Sequence, residues 1–300
     1  MNQKKMLQEI YALTSHATTE PTQTPIPNVT IIKGEVPENQ LAAVYEPMVG
    51  FLVQGGKNIS IGDQVIHLRP PSYFVIPTEL PATGRVFQER DGAPYLSVGL
   101  RLNHEALRNL LNDLLKKHWP QNNIEAFTAC PATPELVDAW LRMLRLLRTP
   151  EDIPALAPVY EREILYRVLL GPQGWRLRAA CLEEGKASRI RQAILWIREN
   201  YFENIDVKKT AMKSGMAVTT FHRRFKELTG LSPIQFQKQL RLLEARKRLV
   251  FSDSSVADTA FNVGYESPSQ FNREYSRLFG TSPARDGSNL KKVGIGAKGS

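Results

Sequence analysis

The feature that most constrains this chain is an internal duplication near its carboxy end. Ala211-Met-Lys-Ser-Gly215 precedes Phe221-His-Arg-Arg-Phe225-Lys-Glu-Leu228-Thr-Gly230-Leu-Ser-Pro233. Ala260-Phe-Asn-Val-Gly264 likewise precedes Phe271-Asn-Arg-Glu-Tyr275-Ser-Arg-Leu278-Phe-Gly280-Thr-Ser-Pro283. The first pieces repeat at an offset of 49 and the second at 50, so the later copy has one extra turn residue. Each copy predicts a short helix ended by Gly215 or Gly264, where glycine takes a left-handed backbone at little cost. Ala211 and Ala260, four residues earlier, let two helices cross closely. A second helix then buries Val218, Phe221, Phe225 and Leu228, or Phe271, Tyr275 and Leu278, and stops at Gly230 or Gly280.

Short helix, glycine turn and amphipathic second helix with a basic outer face make a helix-turn-helix. In the second copy, Ser255-Val-Ala-Asp258 reads as a capping box, and Ser267-Pro268 starts the second helix with proline at its first position. Between the copies, Pro233 to Phe251 predicts one long helix with Phe236, Leu240, Leu243 and Leu249 in the core. Arg241, Arg246, Lys247 and Arg248 are expected along its flanks.

Charge follows the same division. Residues 1–183 carry 18 Lys+Arg against 19 Asp+Glu, whereas residues 184–300 carry 21 against 11. The whole net charge of +9 therefore belongs to the last two fifths of the chain, as expected of a polyanion-binding module joined to something else. Three hundred residues suggest about two domains, and 42% hydrophobic with 23% charged residues is ordinary for a soluble chain. Two cysteines, Cys130 and Cys181, exclude a disulfide scaffold and any multi-cysteine zinc site. No run approaches eighteen apolar residues and the first fifteen lack a signal-peptide core, so a cytoplasmic protein without a membrane partner is expected.

Residues 14–28, rich in Thr and Pro, read as a linker. From Val29 to Leu102 the texture is β. Short runs at 29–35, 41–46, 49–54, 58–61, 64–69, 73–77, 84–89 and 95–102 are separated by turns such as Gly55-Gly56, Gly62-Asp63, Pro70-Pro71 and Asp91-Gly92. Eight strands in that length fit a small barrel or jelly roll. Leucine-rich helical spacing follows at 102–115 and 134–147, and a third helix is expected at 158–170 after the Pro150–Pro158 stretch.

The duplicated region resembles the paired helix-turn-helix domain of the AraC/XylS family of bacterial transcription regulators. The residues that carry the resemblance are Ala260-Phe-Asn-Val-Gly264-Tyr265, Ser267-Pro-Ser-Gln-Phe271-Asn-Arg273 and Phe279-Gly280-Thr-Ser-Pro283, preceded by Arg241-Leu-Leu-Glu-Ala245-Arg-Lys-Arg-Leu249. Tyr45-Glu-Pro47, Gln54-Gly-Gly-Lys57, Gly62-Asp63 and Pro81-Ala-Thr-Gly84 resemble the cupin-like effector domain of one subgroup. Ala217 departs from the family pattern, which has a hydroxyl there, implying a weaker cap or a start shifted to Thr219.

The resemblance implies an α+β two-domain chain. Residues 1–27 would be a helix and linker, and 28–183 a cupin-like β barrel with appended helices. Residues 184–287 would be an all-α double reader and 288–300 a disordered basic tail. Double-stranded DNA, a small-molecule effector and RNA polymerase are the implied partners. A homodimer through residues 102–170 is expected, with no cofactor and no catalytic residue.

With Phe221 in the core, Thr219, Thr220, His222, Arg223 and Lys226 should face bases from the first reader. Ser269, Gln270, Asn272 and Arg273 should do so from the second. Arginine pairs with guanine, Asn and Gln with adenine, and threonine methyls touch thymine. Lys208, Lys209, Lys213, Arg246 and Lys247 are expected on phosphate. Two linked readers would sit about 34 Å apart along the duplex.

Phe51, Val53, His67, Tyr73 and Tyr95 are the effector-pocket candidates, although a lone strand histidine such as His67 is more often a satisfied core residue. Metal-dependent cupin enzymes have a His-x-His pair; His67-Leu-Arg lacks the second, so no metal is expected. A cupin-like enzyme fused to a DNA-binding module would need those ligands, and an alkyl-transfer sensor would need more cysteines. Cys130 or Cys181 would sense oxidants only as an exposed thiolate near cations. Gly294-Ile-Gly-Ala-Lys-Gly299 spells GxGxxG without a strand before it or a helix after it, so it reads as tail.

Overall fold

The computed structural model describes residues 2–34, 42–87, 94–114, 127–181, 186–252 and 254–292. The Asp91-Gly92 turn, Leu115, the outer ends of the 29–35, 41–46 and 84–89 runs, and the Gly294–Gly299 motif lie outside them. The chain divides into two compact units, Met1–Ser188 with Glu227–Gly230 and Arg189–Lys226 with Leu231–Ser300.

The first unit opens with α1 (Gln3–Leu13) and continues with β1 (Thr22–Gln23), β2 (Val29–Gly34), β3 (Ala43–Tyr45), β4 (Met48–Gln54) and β5 (Gly56–Ile61). Then come β6 (Gln64–Leu68), β7 (Ser72–Ile76), β8 (Leu80–Phe87), β9 (Tyr95–Arg101), α2 (His104–Asp113), β10 (Cys130–Pro131), α3 (Pro134–Arg145), α4 (Ile153–Leu170) and α5 (Gly174–Cys181). All eight expected strands form. They pair antiparallel in two sheets, ordered β1-β2-β9-β4-β7-β10 and β3-β8-β5-β6. No ladder among the described residues joins the sheets into one closed barrel.

Strand alternation divides the six-stranded sheet into two faces. Phe51, Val53, Tyr73, Leu96 and Val98 face the helices and share a core with Met6, Ile10, Trp140, Leu144, Ile164 and Leu165. Phe51 stacks on Trp140 with ring centroids 5.7 Å apart. Gly50, Phe74, Gly99 and Tyr95 occupy the opposite face.

Three expectations change here. The amino-terminal helix is no appendage: its buried Met6, Ile10 and Leu13 belong to this core, and Glu9 takes two hydrogen bonds from Arg145 at 2.8 and 2.9 Å. Within the expected linker, Ile26 is buried and β1 pairs with β2. The third helix starts at Ile153 and runs through Pro158, because Pro154 suits a first turn and Pro158 removes only an early backbone hydrogen bond.

The remaining elements are all helices: α6 (Lys186–Glu199), α7 (Val207–Lys213), α8 (Val218–Thr229), α9 (Pro233–Phe251), α10 (Val256–Asn262), α11 (Pro268–Phe279) and α12 (Pro283–Lys292). Helix α9 is apolar on two sides. Phe236 meets the Phe225 ring edge-on, while Leu242, Ala245 and Leu249 share a core with Ala260, Phe271 and Tyr275. One helix therefore supplies part of the core to both copies of the repeat. Residues 288–292, expected as tail, continue α12. Among the described residues, no helix is long and apolar enough to cross a membrane.

Candidate nucleic-acid interface

The two copies close their turns with the same backbone geometry. In the first, Gly215 N–H donates to Met212 O at 2.9 Å and Met216 N–H to Ala211 O at 3.0 Å. In the second, Gly264 donates to Phe261 O at 2.9 Å and Tyr265 to Ala260 O at 3.0 Å. Both are Schellman closures around a glycine at φ 61° and φ 90°. A Cβ on Gly264 would lie 2.2 Å from the Phe202 carbonyl oxygen, so a side chain is excluded there by space as well as by conformation.

Capping fixes where each helix begins. Asp206 caps α7 by accepting from Lys209 N–H, Ser255 caps α10 from Asp258 N–H, and Ser267 caps α11 from Gln270 N–H. The expected box at Ser255 takes another form, since the Ser255 hydroxyl donates to the Asp258 carboxylate at 2.6 Å. A reciprocal capping box stands instead at α9, between Ser232 and Gln235. Helix α8 starts at Val218, with Phe221 N–H donating to Ala217 O; the start is not shifted to Thr219. Val218, expected in the core, is 37% exposed.

Phe221, Phe225, Phe271 and Tyr275 are buried, which turns the opposite face of α8 and α11 outward. Thr219, Arg223 and Lys226 are exposed on α8, with Thr220 and His222 half-buried. Ser269, Asn272 and Arg273 are exposed on α11. Arg223 and Arg273, at the same slot of the repeat, thus lie on the outer faces of equivalent helices. Gln270 is half-buried and its amide donates to Glu274 at 3.0 Å. Burial raises the Glu274 pKa, but hydrogen bonds from Gln270, Lys238 and Tyr265 outweigh it and hold the carboxyl below its usual range.

Lys208, Lys209, Lys213 and Lys247 are exposed. Arg246 is not: its guanidinium is buried against Asp286, with Nε 2.8 Å from the carboxylate, and lies over the Phe279 ring. Tyr275 donates its hydroxyl to the same carboxylate at 2.8 Å. The expectation that Arg246 holds phosphate is therefore corrected to an internal ion pair.

Arg241 has also left the flank for the interior. Its Nε donates to Tyr201 O at 2.7 Å, Nη1 to Gly264 O at 2.6 Å, and Nη2 to Phe202 O at 3.1 Å and Glu203 O at 2.9 Å. Gln237, one turn earlier on α9, also donates to Tyr201 O and Glu203 O. One guanidinium thus ties the α6–α7 connection of the first copy to the glycine turn of the second. The apolar residues on two sides of α9 were the sequence signal for such burial, since they leave its basic residues little free surface.

In the first unit, Phe51, Val53 and Tyr73 fill the sheet–helix core, so these effector-pocket candidates are already packed. His67 is exposed and its Nδ1 is paired with Asn58 Oδ1 at 2.8 Å. Tyr95 alone of the five lies buried on the other sheet face. Cys130 and Cys181 are both buried, and burial pushes the Cys130 thiol up, against thiolate chemistry. Among the described residues, no three His, Cys, Asp or Glu side chains gather as a metal site.

Residues 25–176 match the family described as "AraC-type transcriptional regulator N-terminus", and residues 210–286 match "Helix-turn-helix domain". The chain belongs to the AraC/XylS family. It is 36% identical to the HTH-type transcriptional activator RhaS of Citrobacter koseri over 135 residues, 44% of this chain and 46% of that protein. It is 30% identical to the HTH-type transcriptional regulator ExsA of Pseudomonas aeruginosa over 176 residues, 59% of this chain and 62% of that protein. The match thus spans about half to three fifths of these relatives. Crystalline ToxT from Vibrio cholerae shares the fold at a TM-score of 0.53 over 88% of this chain and 98% of that one, with 8% identity.

Proposed function

We propose that this AraC-type chain is a cytoplasmic, sequence-specific regulator of transcription. Its second unit reads double-stranded DNA, and a small molecule bound in its first unit modulates that reading. The observation that carries the reading is the repeat itself. Two helices of equal length, each entered through the same glycine closure and built on a shared α9, present Arg223 and Arg273 on their outer faces. Thr219, Thr220, His222, Arg223 and Lys226 on α8, and Ser269, Asn272 and Arg273 on α11, are the proposed base readers, with Gln270 held back by Glu274. Lys208, Lys209, Lys213 and Lys247 supply phosphate contacts, and hence salt-dependent affinity without sequence choice. Action as a homodimer on RNA polymerase is the accompanying proposal; RhaS bears the name of an activator.

In vitro selection from randomised duplexes with the full-length protein tests this. A bipartite consensus with its two halves about one helical turn apart is the expected result. Recovery of no consensus at moderate ionic strength overturns it.

A further inference from the structure

Lys57, on β5 of the four-stranded sheet, points its ammonium into the protein, and the residue is only 3% exposed. Its Nζ stands 5.2 Å from the centroid of the Tyr45 ring and 5.7 Å from that of Phe74. Among the described residues it makes no hydrogen bond and no ion pair, so two aromatic faces are its only electrostatic company. Cation–π attraction offsets part of the desolvation of an ammonium, but a buried charge without an anion remains costly. Two other buried cations fare differently: Arg246 has Asp286, and Arg241 has four carbonyl oxygens.

The surroundings of Lys57 are suited to an organic guest. Tyr45, Phe74 and Tyr95 supply aromatic surface, and the buried Ser72 hydroxyl, on the same sheet face as Phe74, has no hydrogen-bond partner. Gly50 and Gly99 stand opposite each other in register on that face. A Cβ at Gly50 would meet the Phe74 ring at 2.2 Å, and one at Gly99 would meet Met48 Cε at 2.4 Å. The Phe74 ring and Met48 Cε lie over these two glycines, and glycine within a strand is where a ligand can approach the backbone closely.

We propose that Lys57 is the anion anchor of the effector site, and that the effector is an organic carboxylate whose apolar or aromatic body lies among Tyr45, Phe74 and Tyr95. This rests on the effector reading above and gives it a chemical class. The site lies on the opposite face of the six-stranded sheet from Phe51, Val53 and Tyr73. Burial, pushing the ammonium down to about 8, leaves it mainly charged at neutral pH and able to take the ion pair.

The test uses the full-length protein with benzoate and hexanoate as probes, each beside its uncharged amide, read by thermal shift and by operator affinity. Wild type should be stabilised by a carboxylate at least tenfold more effectively than by its amide. Lys57→Met should raise the ligand-free Tm by about 2 °C or more, because it removes an uncompensated buried charge, and should abolish discrimination between acid and amide. Lys57→Arg should retain that discrimination, which controls for misfolding. Equal response to acid and amide, no response to either carboxylate, or a lower ligand-free Tm in a folded Lys57→Met protein overturns the anchor. A carboxylate that binds through Lys57 and leaves operator affinity unchanged upholds the anchor and overturns the regulatory reading. Operator affinity that responds only to uncharged probes does the reverse.

Discussion

The guanidinium of Arg241 donates to the carbonyl oxygen of Gly264 at 2.6 Å, while its other N–H groups reach the chain at Tyr201, Phe202 and Glu203. The turn that aims the second reader is thereby fastened to the loop that carries the first. Desolvation lowers the Arg241 pKa, and the charges of Tyr265, Glu266 and Glu274 nearby act against that shift.

Arg241→Met should therefore cost about 2–4 kcal/mol of stability in urea unfolding, since several buried carbonyls lose their donor together. Affinity for a complete operator should fall more than affinity for either half-site. Equal losses on whole and half operators would show that Arg241 only stabilises the unit.

Arg246 and Asp286 give a contrasting case. Asp286→Asn should destabilise the protein by about 3–5 kcal/mol by leaving the buried guanidinium unpaired and weakening its contact with Tyr275. Because Arg246 faces Asp286 and not solvent, Arg246→Gln should leave the salt dependence of DNA binding unchanged among molecules that remain folded. A slope reduced by about one ion would restore Arg246 to the phosphate contacts.

Arg273→Ala and Lys209→Ala should separate base choice from charge. The first should cost roughly 1–3 kcal/mol and relax preference at one position of the selected site. The second should weaken all sequences alike and lower the slope of log affinity against log salt by about one. Parallel selections and titrations with both variants check this.

Glu161, buried on α4 with Oε1 lacking a hydrogen bond, has its carboxyl pushed up to about 7 by burial. The folded value lies above the ordinary 4.5, so the unfolded chain ionises first and stability falls as pH rises between the two. The loss is absent below about pH 4.5, grows through pH 7 and is constant above it. Glu161→Gln should thus gain about 1–3 kcal/mol at pH 8 and nothing at pH 4. Thermal melts across that range would expose a flat difference, which would contradict the assignment.

The repeat was legible in the sequence because its turn glycines, cap residues and Phe/Tyr core positions recur at fixed offsets, and local rules of that kind survive folding. The strands were equally readable from alternation and turns. Which sheet face would meet helices was not. Alternation places Phe51 and Val53 together but cannot tell that Trp140, nearly ninety residues later, will stack on Phe51. The same blindness to distant partners misplaced Arg246, whose carboxylate lies forty residues away, and hid Arg241, whose acceptors are backbone oxygens with no signature in residue type. In the sequence, Lys57 stands out only through its resemblance to a family motif. Nothing in its neighbours along the chain announces that its ammonium is enclosed.

Helix α9 also limits how such a protein can change. It runs nineteen residues, about 28 Å, without interruption from one copy of the repeat to the other. Adding one residue within it would swing one reader by about 100° about the axis and, on the proposed reading, point it away from a duplex held by its twin. Drift in operator spacing therefore cannot be answered by small insertions here. It must be absorbed by the DNA, or by new side chains on readers whose phase stays locked.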